Sequence, residues 1–327
     1  MTKACLCLVY CLYLLNVLLN PGSTYSQELK AVKVAQFGKE KFLLYLPLYY
    51  AIEEGYFKQA GLAPEIIFAG NDDQVFATVA SGSADFGVGD PIFAAIAEHK
   101  GLSAKVVALL VQRLSNTGLA ARADLKPLTK IEDFKDLRIG TFPQPSTTFS
   151  LLTELLLQHR NQVGKASLIE AQIGSMTALL SSGTADIVFD LEPAASIAEA
   201  KGFRVVTDLA RFTPPQAITG ITVRGEFLQN NMEVANKFVG ALDRALSEIS
   251  NDSEQALKVA IKLFPDLKPA VLKTALVRMH EQEVFPQTAK VKRNLWNRSI
   301  ELRINSGALA PTVSKNLGLD LRFVEEK

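Results

Sequence analysis

Apolar runs and amphipathic stretches alternate along the first two thirds of the chain, and they do so twice. In the first pass, Val32–Phe37 (VKVAQF), Pro64–Phe68, Phe86–Val88 and Lys105–Leu110 are short and apolar or alternating, which predicts strands. Between them, Leu43–Glu54, Asp72–Ser81 and Ile92–His99 have helical spacing and end at Gly55, Gly82 and Gly101, the residue type that best closes a helix. Tyr56–Leu62 reads as an aromatic-anchored connection. In the second pass the predicted strands are Leu137–Phe142 (LRIGTF), Ser167–Glu170, Ile187–Phe189 and Arg204–Val206, and the helices are Phe149–His159, Ser175–Ser182 and Ala194–Lys201. Strands alternating with helices predict an α/β sheet with parallel crossovers in each pass.

The two passes also match in letters. Ser-Gly-Ser-Ala-Asp at 81–85 returns as Ser-Gly-Thr-Ala-Asp at 182–186, an offset of 101 residues, and AAIAEHKG (94–101) echoes ASIAEAKG (195–202). The copies diverge just beyond the repeated aspartate, at Gly89-Asp90-Pro91 and Asp190-Leu191-Glu192-Pro193. After Thr213-Pro214-Pro215 comes one more strand, Ile218–Val223. Four helices follow, over Asn231–Ser250, Ser253–Leu263, Lys268–Met279 and Lys290–Ser306, with no copy in the second pass. The expected topology is two lobes with two crossovers: lobe 1 over 27–115 and 219–327, lobe 2 over 116–218, and a helical C-terminal tail packed on lobe 1.

The start of the chain reads as an export signal over 1–26. Lys3 precedes the 16-residue apolar run Ala4–Leu19, then the breakers Asn20, Pro21 and Gly22, with cleavage expected after Ser26. The run is short of the roughly 20 residues that span a bilayer, which favours cleavage over anchoring. Cys5, Cys7 and Cys11 all fall within it, so the rest of the chain has no disulfide and no thiolate nucleophile. Lys3 is the one charge in the signal, and the remainder balances 34 basic against 34 acidic residues. Scattered charge of zero net sign argues against nucleic acid as a partner.

The segments LPLYYAIEEGYFKQAGL (46–62), ASGSADFGV (80–88), DLRIGTFPQPSTTFSLL (136–152) and SSGTADIVFDLEP (181–193) resemble the solute-binding proteins of ABC importers. The resembling branch, SsuA/THI5-like, serves nitrate, taurine, alkanesulfonate and thiamine-pyrimidine compounds. The resemblance spans about residues 30–325. It implies a periplasmic-binding-protein type II fold, a small solute of sulfonate, nitrate, amine or pyrimidine class, an ABC permease as partner, a monomer, no cofactor, and a periplasmic or other extracytoplasmic location. It also implies a binding protein and not an enzyme. An enzyme on the same fold acting on a thiamine-pyrimidine precursor, and a receptor that signals without transport, are the alternatives.

In open α/β sheets ligands bind beyond the carboxyl ends of the strands. That places the candidate site at Phe37, Gly38, Gly89, Asp90, Ser146, Thr147, Thr148, Asp190 and Glu192, with Tyr45 at the rim. Ser146-Thr147-Thr148 opens a helix, so its hydroxyls either cap or hold an anion or carbonyl oxygen. The carboxylates of Asp90, Asp190 and Glu192 either serve as local caps or receive amine and ring N–H donors. If they face the cleft, they disfavour a purely anionic ligand. Asp85 and Asp186 invite a catalytic reading, yet their symmetric place after a helix stop points to turns, where they bond local backbone N–H groups. His99 and His159 stand at helix ends, suited to the dipole, and no catalytic triad, phosphate loop or dinucleotide fingerprint is present.

Overall fold

The computed structural model describes residues 28–39 and 41–325. The export signal read over 1–26 and its three cysteines lie outside the described residues. Two five-stranded mixed sheets organise the chain, one in each of two lobes. The first sheet contains β1 (Lys30–Phe37), β2 (Leu62–Gly70), β3 (Phe86–Gly89), β4 (Ala104–Val111) and β10 (Thr219–Arg224), in the order β2-β1-β3-β10-β4. The second contains β5 (Asn116–Ala120), β6 (Arg138–Thr141), β7 (Ser167–Glu170), β8 (Ile187–Leu191) and β9 (Arg204–Asp208), in the order β7-β6-β8-β5-β9.

β1, β2 and β3 run parallel, as do β6, β7 and β8. The crossing strands do not. β10 is antiparallel to β3 and β4, and β5 is antiparallel to β8 and β9. The expectation of parallel crossovers therefore fails for these two strands. Each arrives from the other lobe and enters its sheet at the end where the parallel strands finish, so it can only run against them. β5 went unread as a strand because Asn-Thr-Gly-Leu-Ala has weak strand propensity. Its five residues are all buried, and tertiary pairing decides their state.

The repeated Ser-Gly-x-Ala-Asp does the same job in both lobes. Gly82 and Gly183 adopt φ of 77° and 67°, the left-handed conformation that ends the preceding helix. Ser81 and Ser83 share a hydroxyl hydrogen bond, as do Ser182 and Thr184. The Lys33 N–H donates to Asp85 at 2.8 Å, and the Arg138 N–H donates to Asp186 at 2.8 Å. Each aspartate thus fixes the neighbouring parallel strand, β1 or β6, rather than its own turn. Arg138 also holds the Asp186 carboxyl below the usual range.

The helical tail packs on lobe 1. The helix Met232–Asn251 buries a stripe that includes Phe238, Leu242, Ala245 and Ile249, at the three- and four-residue spacing of one helix face. The Phe238 ring stacks on Phe86 of β3 at 4.0 Å and meets Phe57 at 4.7 Å. Phe57 belongs to a one-turn helix, Tyr56–Gln59, within the stretch read as a connection. The helix Arg293–Asn305 places Leu295, Trp296 and Ile300 against Ile92, Val106 and Leu109, also in lobe 1. No helix among the described residues is long and apolar enough to cross a membrane.

If the repeat fixes strands, Asp85→Ala and Asp186→Ala should each lower stability by about 1–3 kcal/mol, the loss of a charged hydrogen-bond acceptor. Urea unfolding measures this, and circular dichroism of the folded variants should match the wild type.

Candidate functional site

The ends of β1, β3, β6 and β8 converge from the two sheets on one cavity of about 350 Å³. Phe37 lines it from the end of β1, Asp90 from beyond β3, Phe142–Thr148 from beyond β6, and Leu191 from the end of β8. The crossing segments close its floor with Leu114 on the way out and Ile218-Thr219 on the way back.

One wall is aromatic. Phe37 and Phe42 meet edge to face at 5.7 Å, Phe42 and Tyr45 at 5.8 Å, and Tyr45 and Tyr49 at 6.4 Å. Such pairs stabilise by about 0.5–1.5 kcal/mol beyond their buried area and give a rigid apolar surface. Tyr45 lines the cavity, and burial, first, with the nearby Asp72 and Asp90 charges, raises its hydroxyl pKa. Phe93 adds a further ring.

The opposite wall is the start of the helix Thr147–Gln158. Ser146 caps it by accepting from the Phe149 N–H at 3.2 Å. The Thr147 hydroxyl donates to Asp90 at 2.5 Å, a bond that joins the two lobes. The Thr148 hydroxyl accepts from the Asn116 side-chain amide at 2.6 Å. Having accepted there, it keeps its own proton for a partner in the cavity. All three hydroxyls line the cavity, but only that of Thr148 is left to donate into it.

Asp90 is held on three sides. It accepts from Thr147, from Arg303 at 2.9 Å, and at its other oxygen from the Ile92 N–H at 3.0 Å. Arg303, on the C-terminal helix, also donates to Ser150 at 2.8 Å and to the Pro145 carbonyl at 3.3 Å. Buried Arg303 therefore ties the first lobe's Asp90 to the second lobe's helix start. Two more arginines of the tail make three ionic contacts to the same lobe: Arg298 with Glu154, and Arg278 with Glu192 and Glu199.

At the start of the helix over 72–81 either Asp72 or Asn71 suits the cap, and Asp72 also lines the cavity. Asn71 is the actual cap, in a reciprocal pair with Gln74. Asp72 instead turns inward and accepts from the Asp90 N–H at 3.0 Å. Burial, then the Asp90 charge, pushes its pKa up to about 7. A Cβ on Gly89 would stand 2.5 Å from the Asp72 carboxylate, so glycine makes room for that carboxylate at the end of β3. The sequence signal for Asp72 was this glycine at a strand end, which the repeat does not share.

Four expected site residues lie elsewhere. Gly38 has φ of 58° and spends its N–H on the Gly70 carbonyl, and Gly89 lies behind Asp72. Glu192 is fully buried, pairs with Arg278 and accepts from the Ser196 N–H, so its charge is answered within the protein. Asp190 is buried off the cavity and accepts from the Leu191 N–H at 2.9 Å, and burial pushes its pKa up to about 7. Among the described residues no group of His, Cys, Asp and Glu could hold a metal ion.

Residues 44–256 match the sequence family described as NMT1/THI5 like. The chain belongs to this family. It is 25% identical, over 92% of its length and 90% of the relative's, to the Bacillus subtilis (strain 168) protein named "Putative binding protein YtlA". Its fold is similar to that of the periplasmic aliphatic sulphonate binding protein SsuA from Escherichia coli, with a TM-score of 0.70 and 15% identity over 91% of this chain and 94% of that one. It is likewise similar to the periplasmic nitrate-binding protein NrtA from Synechocystis PCC 6803, with a TM-score of 0.65 and 12% identity over 88% of this chain and 84% of that one. These structural likenesses place the chain on the periplasmic-binding-protein type II fold.

Arg303→Met leaves Asp90 buried with only hydroxyl and amide partners. It should cost about 3 kcal/mol in urea unfolding, and adding Asp90→Asn should return part of that loss. Asp190 gives a pH signature. Its folded pKa of about 7 lies above the ordinary 3.8, so the wild type loses stability as pH rises from about 4 to 7. Asp190→Asn removes that loss, so its gain over wild type should be near zero at pH 4 and about 4 kcal/mol at pH 8.

Proposed function

We propose that this protein is an extracytoplasmic receptor that captures a small solute between its two lobes and delivers it to an ABC importer permease. The observation that carries the reading is the cavity itself, formed by four strand ends and floored by both crossing segments. A site so placed opens and closes with the lobes, here taken as 27–115 with 219–327 and as 116–218. Ligand contacts made only in the closed form then shift the equilibrium toward closure. The inter-lobe bond from Thr147 to Asp90, and the tail's arginines reaching Glu154 and Glu192, are contacts of such a closed form.

The cavity also suits binding better than turnover. Its described lining residues include no His, Cys or Lys, and its hydroxyls are bonded to caps or to Asp90 and Asn116. The Thr147 hydroxyl does stand beside the Asp90 carboxylate, but Arg303 bonds the same carboxylate oxygen and answers its charge, which weakens it as a base for acyl or proton transfer. The ligand contacts we assign are Phe37, Tyr45, Asp90, Ser146, Thr147 and Thr148, with Asp72 added.

The test is a thermal-shift screen of small solutes on the purified protein, with each stabilising solute recovered and identified by mass spectrometry. The expected result is stabilisation by one solute class and return of the solute unchanged. Conversion of the solute would support the enzyme alternative and overturn the receptor. Thr148→Val should weaken the hit by about tenfold, one hydrogen bond's worth.

A further inference from the structure

The charged groups that bear most on the cavity are Asp72, Asp73, Asp90 and Arg303. The first three line it, and Arg303 reaches Asp90 from behind the wall. No Lys or Arg is among the described lining residues. Lys41, the nearest basic residue in sequence to Phe42, turns away to the Leu263 carbonyl.

One feature of the cavity favours an anion, namely the N-terminus of the helix Thr147–Gln158. That place is already taken. The Asp90 carboxylate sits on the Thr147 hydroxyl, with Arg303 bonded to the same carboxylate oxygen. The protein thus supplies its own anion to the helix start and its own cation to that anion. Arg303 is not free to swing toward a solute, because Ser150, Thr147 and the Pro145 carbonyl hold it as well. Asp72 is left facing the cavity, with the Asp90 N–H as its one hydrogen bond among the described residues and the aromatic surface of Tyr45, Phe42 and Phe37 lining the same cavity.

We propose that the solute is a cation, an amine or amidine on a compact apolar body, with its charge on Asp72 and its body against the Phe37, Phe42 and Tyr45 rings. This rests on the receptor reading above and narrows its substrate class. A charged group with the opposite sign in a half-buried site gains far more than it would in water, and a like charge is excluded by the same amount. Aromatic faces add attraction for a cation and none for an anion. The sulphonate and nitrate in the names of the structural neighbours would have to enter beside three carboxylates, with no Lys or Arg among the described lining residues to receive them. Burial, first, and the Asp90 and Asp73 charges disfavour the ionisation of Asp72, while the Asp90 N–H and Arg303 favour it. The pKa of about 7 means that the acceptor charge is complete only above neutral pH.

The test is isothermal titration of the full protein with three solutes of one size: benzylamine, benzyl alcohol and benzenesulfonate, in low salt at pH 8. The expected order is benzylamine first, at least tenfold tighter than the other two. Benzylamine affinity should rise several-fold between pH 6 and pH 8. Asp72→Asn preserves the oxygen that accepts from the Asp90 N–H, and should weaken benzylamine at least tenfold and abolish that pH dependence. Benzenesulfonate binding as tightly as benzylamine, or no benzylamine binding, overturns the proposal. So does an Asp72→Asn variant that binds benzylamine as the wild type does. A stabilising anion in the broader solute screen would sink this charge assignment and leave the receptor reading in place, whereas turnover there would sink the receptor reading.

Discussion

The cavity exists because β5 and β10 each enter the opposite sheet from its carboxyl end. A strand that comes from the other lobe can join only where the parallel strands stop, so the two crossings force the carboxyl ends of both sheets to face each other. Everything polar in the site follows from that confrontation. Helices that begin just past those ends point their first turns inward, and the carboxylate at the end of β3 meets the hydroxyls past the end of β6. Had β5 and β10 run parallel to their neighbours, the crossing segments would leave from the far ends and the strand ends would not meet.

Within this frame the charges are settled mostly among the protein's own groups. Asp90, Glu154 and Glu192 each have an arginine from the C-terminal helices, so the tail both fills lobe 1 and reaches lobe 2. Buried ion pairs of this kind contribute little net stability but are costly to break singly, which suits contacts that define one arrangement of the lobes. Asp72, which lines the cavity, has no such arginine: among the described residues its hydrogen bond comes from a backbone amide. The difference between a paired and an unpaired carboxylate on one cavity wall is what gives the site a preferred ligand charge.

Much of this was legible in the letters. Periodicity and glycine stops located nearly every strand and helix, because local propensity, patterning and capping agree there. The near-copy of SGSAD in SGTAD revealed two lobes, and its aspartates proved to fix strands. Phe37, Asp90 and Ser146–Thr148, named from the strand ends, do line one cavity. Other features were out of reach. β5 is held by its neighbours and not by its own residues. Glu192 looks available until a tail residue 86 positions later pairs with it. Asp72 looks like a cap until Asn71 takes that role and Gly89 opens a space for the carboxylate. Partners far apart in sequence decided each of these.

The most direct measurement of the account is a crystal structure of the protein grown with the solute that stabilises it most. The solute should lie between the Phe42 and Tyr45 rings and the Thr148 hydroxyl, enclosed by both lobes, with Thr147 still bonded to Asp90. A solute bound outside this cavity, or on one lobe with the strand ends apart, would contradict it.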